Sequence, residues 1–190
     1  MSQEGVNHMR QKWAHFYNLI DANKDGILEV DDFELFSNRV KHLCDIKGKD
    51  IDAVDLSRES RRLFDKLLAE MNLNDATVIR LENWFDWLNE ITYEGKGSVV
   101  YRAFTLTLCR EIFDICDQNS DGFVSHSEFS EFLLLFNISN DIALRSFQIL
   151  DKNQSGRINK HELLEGIREF FIGTEPNEYD YLFGEFEMSE

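Results

Sequence analysis

D-Q-N-S-D-G-F-V-S-H-S-E, residues 117–128, sets Asp, Asn and Asp at its first, third and fifth positions, Gly at its sixth and Glu at its twelfth. The same frame returns as D-A-N-K-D-G-I-L-E-V-D-D at 21–32 and as D-K-N-Q-S-G-R-I-N-K-H-E at 151–162. Apolar residues at helical spacing run into the polar stretches, Val6, Met9, Trp13, Phe16, Tyr17 and Ile20 before the first and Tyr101, Phe104, Leu108, Ile112, Phe113 and Cys116 before the second. Counted from the opening aspartate, an apolar residue stands four before (Tyr17, Phe113, Phe147) and one before (Ile20, Cys116, Leu150). Others stand seven after (Leu28, Val124, Ile158) and twelve after (Phe33, Phe129, Leu163). The skeleton recurs around Asn72 as Leu68, Met71, Ile79 and Trp84, so the chain holds four helix–loop–helix repeats on one packing plan. The helical residues are expected to form the core, and the loop aliphatics to pair neighbouring loops across a short strand.

The loop pattern has a chemical reading. Calcium is a hard cation that takes about six to eight oxygen ligands at roughly 2.4 Å, and a twelve-residue loop supplies them from positions 1, 3, 5, 7, 9 and 12. Position 6 is a sharp turn that favours glycine, and Gly26, Gly122 and Gly156 hold it. The expected ligands of the first loop are Asp21, Asn23, Asp25, the Ile27 carbonyl and Asp32, with Glu29 direct or through water. Those of the second intact loop are Asp117, Asn119, Asp121, the Phe123 carbonyl and Glu128, with Ser125 at the water-mediated place. The third takes Asp151, Asn153, Ser155, the Arg157 carbonyl and Glu162, with Asn159 ninth. Asp32 is shorter than glutamate and offers one oxygen fewer, which suits octahedral magnesium, so Mg²⁺ is expected to compete at the first loop. The stretch N-L-N-D-A-T-V-I-R-L-E-N at 72–83 lacks the glycine and ends in Asn83, which predicts a pairing partner that binds no calcium.

At 190 residues the chain is long enough to bury roughly 70% of its unfolded surface. Its 36 acidic and 20 basic residues give a formal net charge of −16, which disfavours nucleic acid and anionic membrane surfaces as partners. No run of about 18 apolar residues is present to span a bilayer. Three cysteines, Cys44, Cys109 and Cys116, follow no disulfide or zinc spacing, and a soluble, cytoplasmic monomer is expected. The phosphate-loop, dinucleotide, nucleophile-elbow and zinc-protease motifs are missing, so no enzyme is expected. His126 and His161 fall at non-ligating loop positions that face solvent, and Cys116 takes the place of a core aliphatic.

The three intact loops resemble those of the EF-hand family, and the whole chain resembles the invertebrate sarcoplasmic calcium-binding proteins, with calexcitin, coelenterazine-binding protein and calerythrin as relations. The second resemblance rests on the degenerate unit, on Asp32 closing the first loop, and on the spacing. Asp117 to Asp151 is 34 residues, whereas Asp21 to Asn72 is 51, which implies an extended first pair. A segment after Pro176, Y-D-Y-L-F-G-E-F, matches the apolar tail that closes the core in that group. The resemblance implies an all-α, compact fold of four EF-hand units in two pairs, residues 1–95 and 96–190, with short inter-loop β pairing. It implies a calcium buffer without a target groove, and only four methionines (Met1, Met9, Met71, Met188) agree with that. Two alternatives stand beside it. One is a calcium sensor that exposes an apolar surface to a protein target. The other is a calcium-controlled carrier of a small apolar ligand, whose cavity His15, Trp13, Trp84, Trp87 and Tyr101 could line.

Overall fold

Each apolar stripe becomes a helix, and each intact polar stretch becomes the loop between two helices. The computed structural model describes residues 2–46, 53–92 and 99–185. The boundary expected at 95 and 96, together with Met1, Phe186 and Met188, lies outside them. Eight helices are described: α1 Gln3–Ile20, α2 Val30–Ile46, α3 Ala53–Glu70, α4 Leu81–Thr92, α5 Val99–Cys116, α6 His126–Leu134, α7 Asn140–Leu150 and α8 Lys160–Ile172. Four two-residue strands lie in the loops: β1 Ile27–Leu28, β2 Ile79–Arg80, β3 Val124–Ser125 and β4 Arg157–Ile158. A 3₁₀ turn, Glu178–Tyr181, follows α8. No helix among the described residues is long and apolar enough to cross a membrane.

Packing gathers the chain into two units, Phe16–Trp87 and the combination of Met1–His15 with Leu88–Glu190. In the first unit β1 pairs antiparallel with β2, and Leu28 faces Ile79. Both side chains are fully buried, as the repeat skeleton requires. The Tyr17 hydroxyl donates to the Ile79 carbonyl at 2.8 Å, and Trp84 packs on the rings of Phe16, Tyr17 and Trp87. The extended first pair is visible in helix length: α2 and α3 run 17 and 18 residues, against 9 and 11 for α6 and α7. Between these two helices Phe33 meets Phe64 at 5.5 Å between ring centres, and the Ser60 hydroxyl donates to the Phe33 carbonyl at 3.1 Å.

The second unit repeats the plan with an aromatic core of its own. Val124 faces Ile158 across β3 and β4, and both are buried. Phe129, Phe132 and Phe147 cluster beside the strands, while Phe104, Phe170, Phe171 and Phe183 meet edge to face at 5.0 to 5.2 Å. Edge-to-face contacts suit the ring quadrupole and fix packing geometry. The Trp13 indole donates to the Phe171 carbonyl at 2.8 Å and the Tyr101 hydroxyl to the Arg168 carbonyl at 2.7 Å. The polar handles of these two core residues are thereby satisfied inside the unit. Burial pushes the Cys109 thiol up to about 11 and Cys116 well above its ordinary value, so both act as small apolar packing groups. After the 3₁₀ turn Leu182 and Phe183 are buried in the same core.

Candidate metal sites

The three intact loops share one backbone course. Position 6 has positive φ in each, +87° at Gly26, +83° at Gly122 and +76° at Gly156. Position 4 is also left-handed, at Lys24, Ser120 and Gln154, none of which is glycine. Such a conformation costs about 1–2 kcal/mol for an ordinary residue, so the surrounding hydrogen bonds must hold it. They do so from the first carboxylate. Asp21 Oδ2 accepts the Gly26 N–H at 2.9 Å, Asp117 Oδ2 that of Gly122 at 3.0 Å, and Asp151 Oδ2 that of Gly156 at 2.8 Å. The side chain at position 3 then accepts the N–H of position 5: Asn23 from Asp25, Asn119 from Asp121, Asn153 from Ser155. Every loop therefore folds inward around its own oxygens.

The far end of each loop is set by the residue at position 12. The Ser125 and Glu128 pair forms a reciprocal capping box at the start of α6, and Asn159 with Glu162 does the same for α8. Asp32 matches the arrangement with a shorter arm: its Oδ2 accepts the Glu29 N–H at 2.9 Å. Its Oδ1 accepts the N–H groups of Ala22 at 2.9 Å and Asn23 at 3.2 Å. Glu128 and Glu162 reach the equivalent Asn119 and Asn153 amides only at 3.4 Å. The opening carboxylates Asp21 and Asp151 are buried, as are all three at position 12. Their hydrogen-bond donors are backbone N–H groups and, at Glu128 and Asp151, the Ser125 and Ser155 hydroxyls. None of the five is paired with a Lys, Arg or His among the described residues. A buried carboxylate without a counter-cation is costly, and a divalent ion in the loop is the compensation these residues can accept.

The remaining oxygens are those of Asp25, Asp121 and Ser155 at position 5 and the carbonyls of Ile27, Phe123 and Arg157 at position 7. The Asp25 and Asp121 carboxylates accept the Ile27 and Phe123 N–H groups at 3.0 and 2.9 Å, while the Ser155 hydroxyl donates to the Arg157 carbonyl at 2.9 Å. Among the described residues no three Asp, Glu, His or Cys side chains are drawn together as a cluster by themselves. Each loop relies on amide, hydroxyl and main-chain oxygens to complete a set, which is what a hard-cation loop uses.

The unit at Asn72 departs from this course. Asn72 has φ +58° and closes α3: its N–H reaches the Ala69 carbonyl at 3.1 Å, and the Leu73 N–H reaches Leu68 at 2.8 Å. That is a helix stop of the Schellman type, so the residue at loop position 1 is occupied in ending a helix. Position 6 is Thr77, and no residue at 75–77 has positive φ. Asn83 accepts the Arg80 N–H at 3.0 Å, keeping the cap while offering no carboxylate. The unit contributes β2 to its neighbour.

Three features escape the loop pattern. The side chains of Ser125 and Asn159 at position 9 are helix caps, a role that the quartets S-H-S-E and N-K-H-E spell out. His126 is exposed, yet its ring meets Phe147 edge-on at 5.4 Å and its Nε2 lies 3.3 Å from the Ser130 hydroxyl. Lys12 is fully buried and bonded to Asp180 at 3.0 Å, and burial draws its ammonium below the ordinary value against the pull of that carboxylate. No local signal marks a partner 168 residues away.

Residues 110–133 and 144–167, which hold the loops at Asp117 and Asp151, match the EF hand family model. The luciferin-binding protein of Renilla reniformis is 26% identical, over 92% of this chain and 91% of its own length. Calerythrin of Saccharopolyspora erythraea is 26% identical over 80% of this chain and 86% of its own. Among solved structures, the calcium-loaded apo form of the coelenterazine-binding protein from Renilla muelleri superposes with a TM-score of 0.77 at 22% identity, covering 98% of this chain and 100% of that one. A sarcoplasmic calcium-binding protein from amphioxus gives 0.69 at 15% identity, covering 95% and 98%. Matched motifs, strand-paired loops and relatives agree: the chain matches the EF hand model at 110–133 and 144–167, is similar in sequence to luciferin-binding protein and calerythrin, and shares its fold with the amphioxus sarcoplasmic calcium-binding protein.

Proposed function

We propose that the protein is an intracellular, non-enzymatic calcium buffer with three working sites, at 21–32, 117–128 and 151–162, and a silent unit at 72–83. One observation carries the site count. In all three loops a buried position-12 carboxylate and an inward-bonded position-1 carboxylate are ion-paired with no Lys, Arg or His side chain among the described residues. The ligands are those of the sequence: Asp21, Asn23, Asp25, Ile27 O and Asp32; Asp117, Asn119, Asp121, Phe123 O and Glu128; Asp151, Asn153, Ser155, Arg157 O and Glu162. Mg²⁺ competes at the first loop, where the short Asp32 closes the site. Fixed aromatic packing in both units supports a core that stays shut rather than one that opens to a target. Calorimetric titration with calcium should count three sites per chain, and Glu128→Gln should remove one. A count of two or fewer in the unmodified protein overturns the reading. An apolar-surface dye, followed through a calcium titration in about millimolar Mg²⁺, separates the roles. A falling signal supports the buffer; a saturating rise would make it a sensor. Likeness to the luciferin-binding protein favours a second reading, a carrier, which calcium-dependent uptake of a small apolar luciferin would establish.

A further inference from the structure

Residues 177–184 lie across several parts of the second unit. On one side, Asp180 is 3% exposed and meets the fully buried Lys12 Nζ at 3.0 Å, and Lys12 also donates to the Gly173 carbonyl at 2.8 Å. The other oxygen of Asp180 accepts the Asn177 N–H at 2.9 Å and lies 3.0 Å from His8 Nε2, which is not aligned for a hydrogen bond. The Phe183 carbonyl lies 2.9 Å from His15 Nε2. These contacts bind the segment to α1. On the other side, Lys152, the second residue of the loop at 151–162, ion-pairs with Glu178 and stands 4.7 Å from the centre of the Tyr179 ring. Tyr179 also packs on the bare backbone of Gly166, in van der Waals range of where a Cβ would stand, and Leu150, the residue before Asp151, presses on the same spot. The Ser146 hydroxyl donates to the Tyr181 carbonyl at 2.9 Å.

We propose that residues 177–184 form a strap whose seating is coupled to calcium in the loop at 151–162, with Lys152 as the coupling residue; the proposal rests on the calcium reading of that loop. The buried Lys12–Asp180 pair is the fixed end. The other end is gripped by residues flanking the first ligand, Leu150 and Lys152, whose backbone is set when Asp151 and its neighbours close on an ion. A loop that relaxes loosens that grip, and the strap is then held by α1 and by the Ser146 hydroxyl of α7, with Leu182 and Phe183 freer to leave the core. Linkage makes the effect mutual: a seated strap raises the affinity of the loop by the factor by which calcium favours seating. Lys152 and Glu178 are partly exposed, so their own share is small, about threefold, within a total near the low end of known couplings, about tenfold.

The test is amide hydrogen exchange on the full chain, in calcium and in chelator, read on peptides covering 177–185. The Leu182 and Gly184 amides, which bond to the Tyr179 and Tyr181 carbonyls, should exchange about tenfold more slowly in calcium. Lys152→Ala leaves every ligand in place and should reduce that ratio about threefold and weaken this site by the same factor. Glu162→Gln, with the other two loops filled, should leave the strap at its chelator rate. Undiminished protection in Glu162→Gln, or exchange unmoved by calcium while calorimetry shows the loop filling, overturns the strap. Calorimetry in which this loop never fills overturns the calcium reading itself.

Discussion

Asp32 does with one fewer methylene what Glu128 and Glu162 do at their loops. It reaches the opening amides at 2.9 and 3.2 Å while the glutamates stop at 3.4 Å, so the first turn of α2 must stand nearer the loop entrance. A tighter ring with a short carboxylate favours the smaller, six-coordinate ion. Asp32→Glu should lower Mg²⁺ affinity at this loop by about tenfold and raise that for calcium. Magnesium titration of the variant, competed with calcium, checks it; an unchanged Mg²⁺ affinity defeats the argument. Tyr17 sits behind the same loop with its hydroxyl 2.8 Å from the Ile79 carbonyl and 3.2 Å from that of Gly26. Burial first, then the nearby Asp21, Asp32 and Glu82, raises its pKa to about 12. The folded state thus holds the proton longer than the unfolded chain. The stability it gives is complete below about pH 10 and is lost as pH rises through about 12. Absorbance at 295 nm should show a late tyrosinate step near pH 12 that Tyr17→Phe removes. Five tyrosines all ionising near pH 10 in a folded chain would contradict it.

At the scale of the element, the position-12 glutamates cap the helices that leave their loops and, on the proposed reading, also close a metal site. Substitution can separate the two tasks. In Glu162→Gln the amide oxygen still accepts the Asn159 N–H, so the chelated protein should lose less than about 0.5 kcal/mol while calcium affinity at that loop falls. Glu162→Ala loses the cap as well and should cost about 1 kcal/mol even in chelator. Equal unfolding midpoints for the two variants in chelator would show the cap to be idle. The same duality explains what the sequence makes legible. Helices, loops and strand register are written locally: the residue seven after the opening residue of each loop fixes Leu28 opposite Ile79 and Val124 opposite Ile158. The silence expected of 72–83 follows from its missing ligands, and the backbone adds a separate reason, since Asn72 is already the stop of α3. The left-handed turn at Lys24, Ser120 and Gln154 has no signature, because these three residue types share nothing but the place. Lys12 and Asp180 are illegible for a different reason: a buried pair is specified by tertiary approach, and a lysine between Met9 and Trp13 reads as helix surface.

For the whole molecule the governing term is charge. A formal −16 repels itself at every separation shorter than the screening length, and the carboxylates in the loops are the most crowded part of it. Folding without calcium must hold buried Asp21, Asp32, Glu128, Asp151 and Glu162 on N–H and hydroxyl donors alone. Filled as proposed, the three loops would take up six positive charges, more than a third of the excess, where the repulsion is largest. Each site at a hundredfold excess over its dissociation constant adds about 3 kcal/mol to the folded state, which for a chain of this size moves the melting point by about 5 °C or more. Calorimetric scans should therefore show a large upward shift from chelator to calcium. Added sodium chloride should raise the melting point of the chelated form more than that of the calcium form, because only the former keeps the full repulsion for salt to screen. Equal melting points in calcium and chelator would remove the electrostatic basis of the buffer reading. A calcium shift with no difference in salt response would instead place the gain in loop closure and packing, with the strap at 177–184 the first segment to examine.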